Sequence, residues 1–262
     1  MLLSSASATG ACSSPLPAPA AYAPSPGWSS RAAEATDATK LLSQYSREIE
    51  VVETSRNPIF LCFLIDMSGS MKPYTQQVID GQFYLIDPLR KSHNCITGNL
   101  YVAQYLFSDK ISLLHPFCKL SPTSGKDDVI LFNSGNYYCP DGRTALYKSL
   151  YYILQDMAAN ISNAYAKHQI KAKFTLGVIT DGDDTEGEFL PDDIKTIVQE
   201  FHGKGFLKSS VVVGITHSEF DGNMLEELKS RLGFQMSISV SRDSPDLRRA
   251  FGEPSSFALK SI

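Results

Sequence analysis

From Pro58 onward, short apolar runs alternate with stretches of helical spacing, and this alternation constrains the fold more than any other feature. Ile59–Asp66 opens it with seven apolar residues ending in a carboxylate, the pattern of a strand buried on both faces. Tyr74–Leu89 then carries Val78, Ile79, Phe83, Ile86 and Leu89 at helical spacing. Tyr101–Phe107 and Ile111–Phe117 read as two strands joined by Ser108-Asp109-Lys110, a hairpin. Residues 119–142, with Gly125, Gly135, Pro140 and Gly142, read as loop. Leu146, Leu150, Ile153, Leu154, Met157 and Ile161 mark a long helix with one apolar stripe, and Phe174–Thr180 is another buried strand. Asp192–Phe201 is expected as a helix, with Pro191 near its first turn and Gly203 as its cap. Ser210–Ile215 is a strand, Met224–Leu232 a helix stopped by Gly233, and Phe234–Val240 the last strand. Ser244-Pro245-Asp246 is expected to open a final helix.

Strands alternating with helices predict an α/β chain: a doubly wound, mostly parallel sheet with helices on both faces. The hairpin adds one antiparallel strand, expected at an edge. In open sheets of this kind, ligands bind beyond the carboxyl ends of the strands. Those places are the loops after Ile65, near residue 142, and after Thr180. They read Asp66-Met67-Ser68-Gly69-Ser70-Met71, Asp141-Gly142-Arg143-Thr144-Ala145-Leu146 and Thr180-Asp181-Gly182-Asp183-Asp184. Alternate side chains of a tight turn can point to one side, so positions 66, 68 and 70 can converge. Two carboxylates and three hydroxyls are hard oxygen donors, suited to Mg²⁺, or to Mn²⁺ or Ca²⁺, and unsuited to zinc or copper.

Here the sequence resembles a von Willebrand factor A domain, over roughly residues 56–250. The family's metal-ion-dependent adhesion site, Asp-x-Ser-x-Ser followed by Thr and then Asp, matches as Asp66, Ser68, Ser70, Thr144 and Asp181, in order and at the expected strand ends. The resemblance implies a Rossmann-like doubly wound sheet with a divalent ion at its top, whose last ligand is an Asp or Glu carboxylate of a protein partner. It implies an interaction domain, an adaptor or scaffold, and not an enzyme. The small loops look closer to compact bacterial-type members, including those encoded near tellurium-resistance genes or ATPase chaperones, than to the integrin kind with a long insertion. One departure is Arg143, where family members often carry glycine; it either steers an acidic ligand or points to solvent. The run Asp181, Asp183, Asp184, Glu186 and Glu188 either holds a second cation or is a solvated loop with Asp181 its one ligand.

Other function classes find less support. A net charge of −4 gives no basic footprint for nucleic acid. The longest apolar run, Ile59 to Ile65, is far below the roughly 20 residues a membrane-spanning helix needs. None of GxxxxGK[ST], dinucleotide-type GxGxxG or Gly-x-Ser-x-Gly occurs. A metal-dependent hydrolase would also need a general base, and no histidine lies in the three loops. The remaining alternative is a structural domain whose metal staples three loops. Five cysteines (Cys12, Cys62, Cys95, Cys118, Cys139) without a CxxC predict reduced thiols, hence a cytoplasmic chain.

Residues 1–30 hold 8 Ser, 7 Ala and 5 Pro and no charged residue. Such a segment buries too little apolar surface to offset chain ordering. The expected division is therefore a disordered Ser/Ala/Pro-rich segment and linker over 1–50 and the von Willebrand factor A-like domain over 51–262. A chain beginning at Val51 should unfold at the same thermal midpoint as the full chain, and residues 1–45 should be cleaved rapidly by protease. Protease resistance of that segment, or failure of the shortened chain to fold, would refute the division.

Overall fold

A computed structural model describes residues 58–127, 129–132, 137–168, 172–182, 184–187, 189–216 and 221–241. The elements run β1 (Ile59–Asp66), a 3-10 turn (Gly69–Tyr74), α1 (Thr75–Arg90), α2 (His93–Ile96), β2 (Leu100–Phe107), β3 (Ile111–Lys119), α3 (Leu146–His168), β4 (Lys173–Thr180), α4 (Pro191–Gly203), β5 (Leu207–Thr216), α5 (Asp221–Leu232) and β6 (Met236–Ser241). Six strands form one sheet in the order β3-β2-β1-β4-β5-β6. Every pairing is parallel except that of β2 with β3, so the hairpin supplies the single antiparallel strand at an edge, as its sequence implies.

Strand β1 lies at the centre and is buried along its whole length. Its alternating side chains feed two cores. Phe60, Cys62 and Leu64 pack with α3 (Leu146, Leu150, Leu154), α4 (Ile194, Val198, Phe201) and α5 (Leu228, Leu232). Leu61, Phe63 and Ile65 pack on the other face with Val78, Leu85 and Leu89 of α1 and with Cys95, Phe132 and Tyr138. The two-faced burial explains why the β1 sequence is a continuous apolar run and not an alternating one. Gly177 of β4, beside Phe63 in the register, leaves room for that ring: a Cβ there would stand 2.8 Å from its Cδ1.

Several boundaries differ from the sequence reading. Helix α4 continues through Gly203, and the left-handed glycine that ends it is Gly205, at φ +72°. Gly233, at φ +69°, does stop α5. Helix α5 begins three residues before Met224, β5 three before Ser210, and the last strand two after Phe234. Pairing with β4 and β5 sets those strand ends, and periodicity alone does not reach them. The turn Gly69–Tyr74 and the short α2 carry too few residues to show a period. The expected final helix from Ser244, and the N-terminal segment, lie outside the described residues.

Three of the five cysteines, Cys62, Cys95 and Cys118, are free thiols. Cys139 is disulfide-bonded, which corrects the expectation of uniformly reduced cysteines. Among the described residues no helix is long and apolar enough to cross a membrane.

Phe60 is fully buried and stacks on both Tyr101 and Phe174, with ring centroids 5.2 Å apart in each pair. It thereby joins β2, β1 and β4. Phe60→Ala should cost about 3–5 kcal/mol, read as a lower urea midpoint with an unchanged slope. A loss below about 1 kcal/mol would mean that this cluster does not hold the sheet centre.

Candidate metal centre

The chain lays down β1, steps outward to β2 and β3, and returns to add β4 on the other side of β1. That reversal makes the carboxyl ends of β1 and β4 the switch point where open sheets bind ligands. Asp66 closes β1, and Asp181 follows directly on β4.

Asp66 is fully buried. Its Oδ1 accepts the backbone N–H of Ser68 at 2.8 Å, and its Oδ2 accepts the hydroxyl of Thr180 at 2.6 Å. Its backbone carbonyl accepts the Tyr138 hydroxyl at 2.6 Å. Burial pushes the Asp66 carboxyl up to about 6; donation from Thr180 and Ser68 opposes this, and the charge of Asp181 adds to it. Burial also raises the Tyr138 phenol, with the charges of Asp66 and Asp181 acting in the same direction. That phenol stays protonated and remains a donor.

Above Asp66 the other oxygens touch in sequence. Ser68 Oγ lies 2.9 Å from Ser70 Oγ, and the Ser70 hydroxyl donates to Asp181 Oδ1 at 2.9 Å. Ser68 is buried. The sequence expectation that positions 66, 68 and 70 converge holds, with one refinement. Both Asp66 oxygens are committed to donors, so Asp66 orients the Ser68 loop, while Ser68, Ser70 and Asp181 present the outer oxygens.

Thr144 is buried on the third loop. Its place is set by backbone bonds. Gly69 N–H donates to Gly142 O at 2.9 Å and Asp141 N–H to Met67 O at 2.8 Å, joining the first and third loops. Thr144 N–H donates to the Thr185 hydroxyl at 2.9 Å, and Thr185 N–H returns to Thr144 O at 2.8 Å, joining the third loop to the segment after Asp181. Gly142 sits at φ +82°, and a Cβ there would stand 2.9 Å from Asp109 Oδ1, so glycine is required on both counts. Asp66 at the end of β1 and the other four predicted residues beyond the strand ends thus belong to segments tied to one another. Hydroxyl and carboxylate contacts link Ser68, Ser70 and Asp181, whereas Thr144 is connected through its backbone.

Arg143 is 76% exposed and pairs with Glu186 at 3.6 Å, so it lies at the rim in an ion pair. Lys72 and Asp141 form a second exposed rim pair at 3.3 Å. Within the acidic run, Asp184 is a brace: its Oδ1 accepts Tyr147 N–H at the start of α3, and its Oδ2 accepts Gly187 N–H. Asp183 and Glu188 lie outside the described residues. The sequence reading missed Thr180, Tyr138, Asp184 and Thr185. Only Thr180 carries a local signal, a hydroxyl at the last strand position beside Asp181.

The donor set fits a small hard cation. Octahedral Mg²⁺ has oxygens at about 2.0–2.1 Å, so adjacent ligand oxygens stand about 2.9 Å apart. The Ser68–Ser70 and Ser70–Asp181 separations, both ordinary hydrogen-bond lengths of 2.9 Å, are compatible with such edges. Among the described residues no three His, Cys, Asp or Glu side chains gather as a group that could hold a metal ion.

No family profile and no curated protein matches the sequence. Solved structures do match in shape. The von Willebrand factor domain of the type V pili tip protein Mfa5 from Porphyromonas gingivalis aligns with a TM-score of 0.54 at 12% identity, over 79% of this chain and 97% of that one. The pilus adhesin SpaC from Lactobacillus rhamnosus GG aligns at 0.54 and 12%, over 82% of this chain and 31% of that one. The PilB minor pilin from Streptococcus sanguinis aligns at 0.51 and 15%, over 82% and 64%. The matched part thus spans less than two thirds of PilB and about a third of SpaC. The fold is von Willebrand factor A-like.

Thr180→Val removes one donor from the buried Asp66 carboxylate at nearly constant volume. It should destabilise the chain by about 1–3 kcal/mol at pH 7, measured by chemical denaturation. An unchanged midpoint would show that Asp66 does not depend on that hydroxyl.

Proposed function

We propose that the chain is a non-catalytic interaction domain that binds a protein partner through a divalent cation, Mg²⁺ or in its place Mn²⁺ or Ca²⁺. The observation that carries this reading is the run of contacts Ser68–Ser70–Asp181 above the buried Asp66, at the switch point of the sheet. Ser68, Ser70, Thr144 and Asp181 would hold the ion, with Asp66 fixing the Ser68 loop beneath them. The cation would supply a positive charge at the surface.

The partner chemistry follows from charge. Three of the proposed ligands are neutral hydroxyls, and Asp181, the one ligating carboxylate, neutralises a dication only in part. A further ligand with a negative charge is favoured over water, and exclusion of water from the interface strengthens it. The expected partner group is therefore an Asp or Glu carboxylate. The shape relatives include a pilus adhesin and a pilus tip protein, consistent with an interaction role on this fold. Nothing in the three loops offers a histidine as general base, which supports the non-catalytic reading over hydrolysis. A compact bacterial-type, tellurium-resistance-like affinity remains part of the proposal on sequence resemblance alone. So does a cytoplasmic setting. Free Cys62, Cys95 and Cys118 agree with it, and the bridged Cys139 does not.

Mg²⁺ or Mn²⁺ should raise the thermal midpoint, by about 2.7 kcal/mol of stabilisation when the ion is at 100 times its Kd. Asp66→Ala or Asp181→Ala should abolish the increment. In a pull-down, EDTA and Ser68→Ala should each release the partner while the thermal midpoint of metal-free Ser68→Ala stays near that of the parent. A large loss of stability with partner binding retained would support the loop staple instead. A complex that survives both EDTA and Ser68→Ala refutes the metal-bridged interaction.

A further inference from the structure

We propose that the cavity at the far end of the sheet from Asp66 binds a small organic phosphate. The cavity has a volume of about 620 Å³ and lies where β3 ends, against α2 and the 120–127 loop. That size falls within the range of small-molecule sites.

Its charge is one-sided. Lys119 and Lys126 both line it and are exposed, and neither forms an ion pair among the described residues. Asp127 is the one carboxylate among the described lining residues, and it is already committed. It forms a buried pair with Arg90, and its Oδ2 accepts Ser121 N–H at 2.8 Å. Arg90 also donates to Ser121 O at 2.6 Å. Among the described lining residues no other acid accompanies the two ammonium groups.

The walls are held in place. Cys95 Sγ donates to Leu120 O at 3.3 Å, and Leu120 N–H donates to Leu100 O at 2.8 Å. The Lys119 ammonium rests over Gly98: a Cβ built there would stand 2.7 Å from Nζ, and Gly98 is at φ +73°. The apolar part of the lining includes Ile96, which is 64% exposed, and Pro122. Two point cations suit a doubly charged phosphate, and an exposed isoleucine and a proline suit an apolar body attached to it. This site shares no residue with the candidate metal centre and does not depend on the proposed function.

The test is calorimetric titration of the full chain with phenyl phosphate and with inorganic phosphate, in EDTA so that no divalent ion takes part. Phenyl phosphate should bind with one-to-one saturation and more tightly than inorganic phosphate. The double variant Lys119→Gln with Lys126→Gln should bind at least about tenfold more weakly, with its thermal midpoint unchanged. Lys72→Gln, at the other end of the sheet, should bind as the parent does. The proposal is overturned if phenyl phosphate fails to saturate by about 10 mM, a free energy too small for a built site. It is equally overturned if the double variant keeps the parent affinity, or if Lys72→Gln weakens binding as much as the double variant does.

Discussion

The structure depends most on one buried carboxylate. Asp66 ends the central strand with no exposure to solvent, and an ionised acid there is costly unless donors surround it. Ser68 N–H and the Thr180 hydroxyl meet its two oxygens. Each donor has a structural consequence. The Ser68 bond forces the chain to turn immediately after β1, which brings Ser68 and Ser70 side by side. The Thr180 bond ties β1 to β4 across the switch point and leaves the next residue, Asp181, beside Ser70. Burial pushes the Asp66 carboxyl up to about 6, with the donors from Thr180 and Ser68 opposing the shift. On the proposed reading, a dication above the two serines supplies the remaining compensation.

Around that carboxylate the loops are joined mainly by backbone bonds. Met67 and Gly69 bond to Asp141 and Gly142, and Thr144 bonds reciprocally with Thr185. Backbone bonds of this kind fix loop positions without consuming the hydroxyls and carboxylates that face outward. A site assembled from three separate loops can then be rigid and still present free oxygen lone pairs. The same division appears at the other end of the sheet, where Arg90, Asp127 and Ser121 fix the walls and the lysines are left uncommitted.

Much of this was legible in the sequence, for physical reasons that differ by element. A strand buried on both faces must be apolar throughout, so β1 and β4 are plain. The antiparallel edge follows from three polar residues between two apolar runs. The candidate residues were readable as a set because Asp66, Ser68 and Ser70 alternate directly after one buried strand and Asp181 directly follows another. What was not readable depends on partners distant in sequence. Tyr138 reaches Asp66 from a loop 72 residues away, and Asp184 becomes a brace only because the start of α3 presents Tyr147 N–H to it. The pairing of Arg143 with Glu186 is likewise a property of folded loops. The true stop of α4 was misplaced because Gly203 and Gly205 are equally plausible caps in sequence, and only the backbone shows which one turns left-handed.

The central claim is that oxygens from the loops after β1 and β4 share one hard cation. Crystals soaked in Mn²⁺ and measured for anomalous scattering test it most directly. The account predicts one strong anomalous peak within bonding reach of Ser68 Oγ, Ser70 Oγ and Asp181. A fully occupied Mn²⁺ elsewhere on the molecule, with no peak at these three oxygens, would contradict it.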